Sequence, residues 1–134
     1  TVALKYKLSG DIVMVTQDCT FYPENGEIVF YEIRAGGQRL QVLGSMGFDE
    51  QVAYPTGADL LVLPLQGRSD QDTFALSIVQ RLLPKRIVID HYDDAFSPMT
   101  DPVDPSGFIR NVEREFGIPT QPMTMFDVID LEKL

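Results

Sequence analysis

His91 is the only histidine in the chain, and it stands where a short apolar stretch, residues 86–90, comes to its end. A side chain at a strand end is held by the sheet and still reaches a cleft, so an imidazole there suits metal binding or acid–base chemistry. Asp90, Asp93 and Asp94 flank it. These carboxylates either orient a metal-binding imidazole through hydrogen bonds to its second nitrogen or form a solvated acidic loop.

One histidine does not make a zinc site, because zinc in proteins takes three or four side-chain ligands. The alternative for His91 is therefore a strand-end histidine with an ordinary hydrogen bond. Cys19 is the single cysteine, which excludes an internal disulfide and a cysteine-rich metal cluster. A nucleophilic Cys19 would need a base, and the one histidine lies far along the chain, so we expect Cys19 to pack as a small apolar residue.

The composition is that of a globular protein, with 44% hydrophobic and 23% charged residues. The 20 acidic and 11 basic residues give a net charge of −9, which repels the phosphates of nucleic acids. No apolar run approaches the roughly 20 residues that span a bilayer, and the N-terminus does not read as a signal peptide. We therefore expect a cytoplasmic protein without nucleic-acid or membrane partners.

The length of 134 residues is that of one ordinary domain, and we expect 1–134 to form a single domain. The chain begins at Thr1 without an initiator methionine. Processing, removal of a tag, or a start inside a longer protein would each explain this. One interpretation is therefore that the chain is a fragment of a longer protein.

Strand patterns dominate the first third of the chain. Apolar and polar residues alternate over 2–8, and a β-rich stretch follows over 11–16. Two further strands, 28–33 and 39–43, flank Ala35-Gly36-Gly37-Gln38, whose glycines supply the positive φ of a tight hairpin. The pattern predicts a set of antiparallel strands.

The middle of the chain changes character. Residues 59–65 form a near-continuous apolar run, which is typical of a strand covered on both faces. Apolar residues at helical spacing follow, with Ser69 as the expected N-cap and Pro84 as the stop. Residues 86–90 form another buried strand, so the three elements predict a right-handed strand–helix–strand crossover.

The last part of the chain predicts one more helix and one more strand. Residues 97–107 predict a loop, after which Ser106 caps a helix that Gly117 ends. The alternating segment 123–131 predicts the last strand, with its methionines in the core. Antiparallel strands followed by a βαβ unit, a helix and a strand indicate a layered α/β fold.

Three stretches resemble, in order and spacing, the C-terminal half of the metallo-β-lactamase superfamily, and within it the ascorbate-phosphate-lactonase-like metal-dependent hydrolases. Ile33–Gly44 (IRAGGQRLQVLG) resembles the hairpin that leads to the family's Gly-Asp-x-Gly turn. Gly57–Leu65 (GADLLVLPL) resembles the strand after it, and Leu83–Asp94 (LPKRIVIDHYDD) the final strand with its metal-binding histidine. The resemblance covers most of residues 28–131.

The resemblance implies half of an αβ/βα sandwich, a mixed sheet with a βαβ unit and two main helices. In complete members two such halves pack sheet to sheet, with metals at the edge between them. It implies zinc or another divalent metal in the complete protein, with His91 as a ligand and a metal-bound water as the attacking group. The N-terminal His-x-His-x-Asp-His cluster of the family is absent, so we expect no metal on this chain alone.

A second departure concerns the bridging aspartate of the Gly-Asp-x-Gly turn. Ser45 stands at that position, in Gly44-Ser45-Met46-Gly47. A hydroxyl lacks the charge and the second oxygen with which a carboxylate bridges two cations. Asp49, four residues further on, is the candidate to compensate. A two-metal site is therefore in question even in a complete protein.

Two accounts of function follow. In the first, the chain is part of a metal-dependent hydrolase that attacks an ester, lactone, amide or phosphoester, and is inactive by itself. In the second, it is a degenerate, non-catalytic half-domain that serves as an interaction or oligomerisation module. Both leave the apolar sheet face open to a missing N-terminal half or to a second copy, so we expect a homo-oligomer if the chain stands alone.

Overall fold

The computed structural model describes residues 2–8, 11–22, 26–44, 46–48, 53–93 and 101–134, with side chains from Phe30 onward. Seven strands form one sheet, and their order in the sheet is their order in the chain. The strands are β1 (Val2–Leu8), β2 (Asp11–Tyr22), β3 (Gly26–Ala35), β4 (Gln38–Leu43), β5 (Leu60–Pro64), β6 (Ile87–Asp90) and β7 (Thr120–Pro122). Two helices, α1 (Gln71–Leu82) and α2 (Ser106–Phe116), and a short 3₁₀ turn (Leu131–Lys133) complete the described elements.

The sheet is antiparallel in its first half and parallel in its second. Strands β1 to β4 pair antiparallel, whereas β4 to β7 pair parallel. The predicted hairpin between β3 and β4 is confirmed, because Gly36 and Gly37 have φ of 56° and 77°. Positive φ at both central residues is the geometry of a type I′ turn, which matches the twist of the flanking strands.

Both helices lie on one face of the sheet. Helix α1 connects β5 to β6 and α2 connects β6 to β7, and the two helices contact each other. Successive right-handed crossovers in one direction place their helices on the same side. The core between helices and sheet consists of fully buried aliphatic and aromatic side chains: Leu61, Leu63, Ile87 and Ile89 from the sheet, and Ile78, Val79, Leu82, Phe108 and Val112 from the helices.

The opposite face of the sheet carries no described helix. Register and alternation place on it a set of apolar side chains from four strands: Tyr31, Ile33, Leu40, Leu60, Val42, Val62 and Val88. Leu60 and Val88 are buried to 3% and 1% exposure, whereas the other five are half-buried. We call this set the helix-free face.

The predicted fold class is confirmed: an α/β arrangement with a mixed sheet, a βαβ unit and two main helices. Some boundaries differ. Strand β2 continues to Tyr22, beyond the predicted residue 16. Asp70, not Ser69, is the N-cap of α1, and Pro105 precedes α2 at the N-cap, where Ser106 was expected. Neither N-cap residue makes a side-chain cap bond, but Asp104 Oδ1 accepts from Ser106 N at 2.9 Å at the start of α2.

The prediction of a last strand over 123–131 is wrong. Strand β7 ends at Pro122, and the segment beyond it turns at Thr124–Asp127, where Asp127 N donates to Thr124 O at 3.1 Å. Phe126 has a φ of 72°, which is incompatible with a strand. The alternation of apolar residues was real, but local turn hydrogen bonds override it. No helix among the described residues is long and apolar enough to cross a membrane.

Candidate functional site

The parallel strands β4 to β7 end at a common edge of the sheet, which we call the carboxyl edge. Gly44 follows β4, Leu65 follows β5, His91 follows β6 and Met123 follows β7. In open α/β sheets ligands bind outside the carboxyl ends of the strands, where loops diverge and backbone groups are accessible. The prediction that His91 stands at the end of a strand is confirmed, and the edge is the place to look for a site.

His91 is exposed and adopts a left-handed backbone, with φ of 51°. For a residue with a Cβ this conformation costs about 1–2 kcal/mol, and it persists only where the surroundings impose it. Strand β6 ends at Asp90, immediately before this residue. Strain of this kind clusters at functional sites, so the backbone of His91 supports a functional role for its side chain.

Asp90 lies beside His91 but on the helix-free face, level with Pro64 of β5. Its Oδ1 atom is buried and has no hydrogen-bond partner among the described residues. Burial raises the pKa of the Asp90 carboxyl, and the charge of His91 opposes that shift in part. A buried acceptor without a donor is rare in native proteins and calls for an unseen partner, such as a donor from another part of the protein.

The remaining predicted site residues are not brought together in the described part of the chain. Asp93 is exposed, two residues after His91. Ser45, Asp49 and Asp94 lie outside the described residues, as does the side chain of Cys19. Among the residues that the structure does describe, no group of three or more histidine, cysteine, aspartate or glutamate side chains could hold a metal ion.

Aromatic packing anchors the connection that leaves β4 at this edge, a contact that the sequence reasoning missed. Phe48 is 8% exposed and stacks on Tyr54, with ring centroids 4.2 Å apart and planes 23° apart. Tyr54 also lies against Phe30 of β3 at 4.9 Å. Met46 is buried as well. Both sides of the connection are therefore fixed to the core. The available signal in the sequence was the presence of aromatic residues in a loop, since buried aromatic side chains contribute strongly to packing.

A buried polar network holds the far end of the same connection. Glu32 accepts from Arg34 Nε at 2.7 Å, from Arg39 Nη2 at 3.0 Å and from Gln41 Nε2 at 3.2 Å. Gln41 Nε2 also donates to Pro55 O at 2.7 Å, and Gln41 Oε1 is buried without a partner among the described residues. Burial tends to raise the pKa of Glu32, but the bonds from Arg39, Arg34 and Gln41 outweigh it and lower that pKa.

An ion pair closes the opposite, amino edge of the parallel strands. Lys85 Nζ lies 2.6 Å from Asp59 Oδ1, and Arg39 N donates to Asp59 Oδ2 at 2.7 Å. The hydrogen bond from Lys85, followed by that from the Arg39 backbone, lowers the pKa of Asp59. Asp59 directly precedes β5 and Lys85 lies two residues before β6, so this pair fixes the start of both strands.

The segment after β7 brings exposed apolar residues to the carboxyl edge. Met123 N donates to Ile89 O at 2.8 Å, which continues the pairing of β7 with β6. Met125 is 81% exposed and Phe126 is 92% exposed. The prediction that the methionine alternation lies in the core is therefore wrong for Met125. No signal in the sequence distinguished this segment from a buried strand.

Comparison with known proteins gives the fold. No protein-family model matches the sequence, and no curated protein sequence is similar to it. Among solved structures, the chain is similar to a proposed Zn-dependent hydrolase of the metallo-β-lactamase superfamily from Thermotoga maritima, with a TM-score of 0.60 and 16% identity over 92% of this chain. It is also similar to the metallo-β-lactamase fold protein YhfI from Bacillus subtilis, with a TM-score of 0.64 and 12% identity over 90% of this chain.

The match confirms the resemblance that the sequence carried: the chain has a metallo-β-lactamase-like fold. It spans 71% of the Thermotoga maritima protein and 50% of YhfI. The neighbours therefore contain substantial additional chain beyond the matched region. The role of His91 as a metal ligand stays a prediction.

Proposed function

We propose that this chain is part of a metal-dependent hydrolase in which His91 is one of the metal ligands. The observation that carries the proposal is the exposed, backbone-strained His91 at the carboxyl edge of a metallo-β-lactamase-like sheet. A divalent cation, when bound, lowers the pKa of a coordinated water and polarises the scissile group of the substrate. The substrate class we propose is an ester, lactone, amide or phosphoester.

The described residues fit a metal in part only. His91 offers an imidazole nitrogen, a ligand that zinc accepts readily. The described part of the chain contains no group of three potential ligands, so it does not complete a site. We propose that the other ligands come from residues beyond those described, with Asp49 as one candidate and Ser45 as a weak one. Asp93 and Asp94 are candidates to orient the imidazole, and this chain alone is proposed to be inactive.

We also propose that a second α/β layer covers the helix-free face and supplies the missing ligands. Three observations support this. The two structural neighbours extend well beyond the region matched by this chain. Five apolar side chains of the helix-free face are half-buried and not fully enclosed. The orphan Oδ1 of Asp90 points to a donor that the described residues lack. The layer is a further segment of the protein or a second copy, and the single cysteine is compatible with a reducing cytoplasm.

Metal analysis tests the proposal directly. The intact protein is purified without chelators, its zinc, iron and manganese contents are measured, and the His91→Ala variant is compared with a Glu113→Gln control on the exposed side of α2. We expect the bound metal to fall at least about tenfold in His91→Ala and to stay unchanged in the control. Equal metal content in the two variants would remove His91 from the site.

Activity and oligomeric state complete the test. Hydrolysis of a panel of esters, lactones, amides and phosphoesters should depend on added metal and disappear with His91→Ala. Absence of metal from the intact protein, together with a stable oligomer in light scattering, would favour the non-catalytic interaction module instead. A clean monomer with no affinity for apolar dyes would contradict a second layer on the helix-free face.

A further inference from the structure

The segment after β7 presents two large apolar side chains at the carboxyl edge, the edge at which His91 stands. The last paired residues of β6 and β7 are Ile89 and Pro122, and Thr124 follows Pro122 by two residues as His91 follows Ile89. Met125 and Phe126 follow at once. They are 81% and 92% exposed, so in the described structure neither contributes to the core.

These side chains are held in a defined turn and are not on a loose tail. Asp127 N donates to Thr124 O at 3.1 Å, and Thr124 N donates to Asp127 Oδ2 at 2.8 Å. The two bonds close a short ring around Met125 and Phe126. The hydrogen bonds from Thr124 also lower the pKa of the Asp127 carboxyl.

The backbone of Phe126 is strained in the same way as that of His91. Three non-glycine residues among those described have positive φ: Leu83, His91 and Phe126. Leu83 has an ordinary explanation, because it is the left-handed C-cap of α1. The other two are exposed: His91 directly follows β6, and Phe126 lies in the turn four residues beyond β7. A bulky aromatic residue in the left-handed region, with its ring in solvent, gains nothing for folding that would offset the strain.

We propose that Met125 and Phe126 form an apolar wall of the substrate site at His91 and select substrates with an aryl or extended alkyl group in the acyl chain. This inference rests on the proposed hydrolase function. The carboxylates of Asp90, Asp93 and Asp127 along the same edge disfavour an anionic group at this wall. Neutral esters and lactones with an apolar acyl chain are therefore the favoured class, ahead of phosphoesters.

A pair of esters that differ by one phenyl ring tests the selectivity. The intact, metal-loaded protein is assayed with methyl 4-phenylbutyrate and methyl butyrate, and kcat/KM is compared between them. We expect kcat/KM to be about tenfold or more higher for methyl 4-phenylbutyrate than for methyl butyrate, since one apolar group in a pocket provides discrimination of that order. Phe126→Ala should bring the ratio close to one. Val128→Ala is the matched control, because Val128 is 90% exposed but lies outside the turn; its ratio should equal that of the wild type.

A binding measurement separates this inference from the hydrolase proposal. The protein is labelled with [methyl-13C]methionine, Met125 is assigned with the Met125→Leu variant, and 4-phenylbutyrate or butyrate is titrated. We expect a saturable shift of the Met125 methyl signal with 4-phenylbutyrate alone, lost in Phe126→Ala and kept in Val128→Ala. A saturable shift without hydrolysis of any ester would support the wall and sink the hydrolase. Hydrolysis with an unchanged ester ratio in Phe126→Ala, or no Met125 shift, would overturn the wall.

Discussion

The network around Glu32 makes a quantitative prediction about stability, and Glu32→Gln is the perturbation that tests it. The substitution keeps the shape of the side chain and removes its charge. Glu32 is 7% exposed and accepts from two arginines and from the fully buried Gln41. Glutamine at this position sets its own amide hydrogens against those donors, so at least one bond is lost and the remaining ones lose their charge assistance.

The three donors, Arg34, Arg39 and Gln41, contribute differently to the free energy of unfolding because they differ in exposure. Arg34 has 64% of its side chain exposed, so its ion pair contributes about 0.5 kcal/mol or less. Arg39 is 29% exposed and its charged bond contributes about 1 kcal/mol. The bond from Gln41 contributes about 1 kcal/mol, because that amide keeps only Pro55 O as acceptor when Glu32 is lost. We therefore expect Glu32→Gln to lower the free energy of unfolding by about 2 kcal/mol, or Tm by roughly 8 °C.

Urea unfolding followed by circular dichroism is the assay, with Glu113→Gln as the control for removing one exposed carboxylate. The pKa of Glu32 is lowered below its ordinary value of 4.5 in the folded state. Its charge therefore stabilises the fold above pH 4.5, and this contribution disappears as the pH falls through the lower folded pKa. The difference between wild type and Glu32→Gln should shrink over that range. A difference under about 0.5 kcal/mol at pH 7, or one that grows on acidification, would refute the reasoning.

Three further substitutions test the strained and orphaned positions by thermal unfolding. Leu83→Gly should raise the free energy of unfolding by about 0.5–1 kcal/mol, because the C-cap of α1 has φ of 44° and the leucine is already 52% exposed. His91→Gly should raise the free energy of unfolding by about 1 kcal/mol, because glycine adopts the φ of 51° without strain, while metal binding is lost. A less stable variant would show that the imidazole contributes to the stability of the fold. Asp90→Asn should raise the stability of this chain at pH 7 by about 1 kcal/mol, because it removes a buried charge whose Oδ1 has no donor, and a loss would reveal a donor already in place.

The βαβ unit was predictable from sequence because each of its signals has a direct physical cause. The near-continuous apolar run at β5 reflects burial on both faces of the sheet, and the helical spacing in α1 reflects one buried stripe. Pro84 cannot continue a helix, which ends at Leu82. The hairpin at Gly36-Gly37 was predictable for a similar reason, since only glycine adopts two successive positive φ values without strain.

The site was less predictable because its determinants are not periodic. The position of His91 followed from the end of an apolar run, but its left-handed backbone did not, since nothing in the residue types demands it. The exposed turn at Met125 and Phe126 imitates a strand in sequence, and only the hydrogen bonds of Asp127 distinguish it. The contact between Phe48 and Tyr54 joins residues of one long connection, and spacing alone does not pair them.

The two ends of the parallel strands are built differently. At the amino edge, Asp59 binds both Lys85 and the Arg39 backbone, and the neighbouring Glu32 takes three donors; these groups hold strands and connection in place. Costs occur on this side too, because Leu83 is left-handed and Gln41 Oε1 is buried without a described partner, but Leu83 has a structural role as the C-cap of α1. At the carboxyl edge the left-handed backbone of His91 has no such role in a helix end. Strained backbones cluster at functional sites, and sheets of this kind bind ligands at the carboxyl edge, so the strain at His91 favours the proposed metal site, which the metal analysis tests.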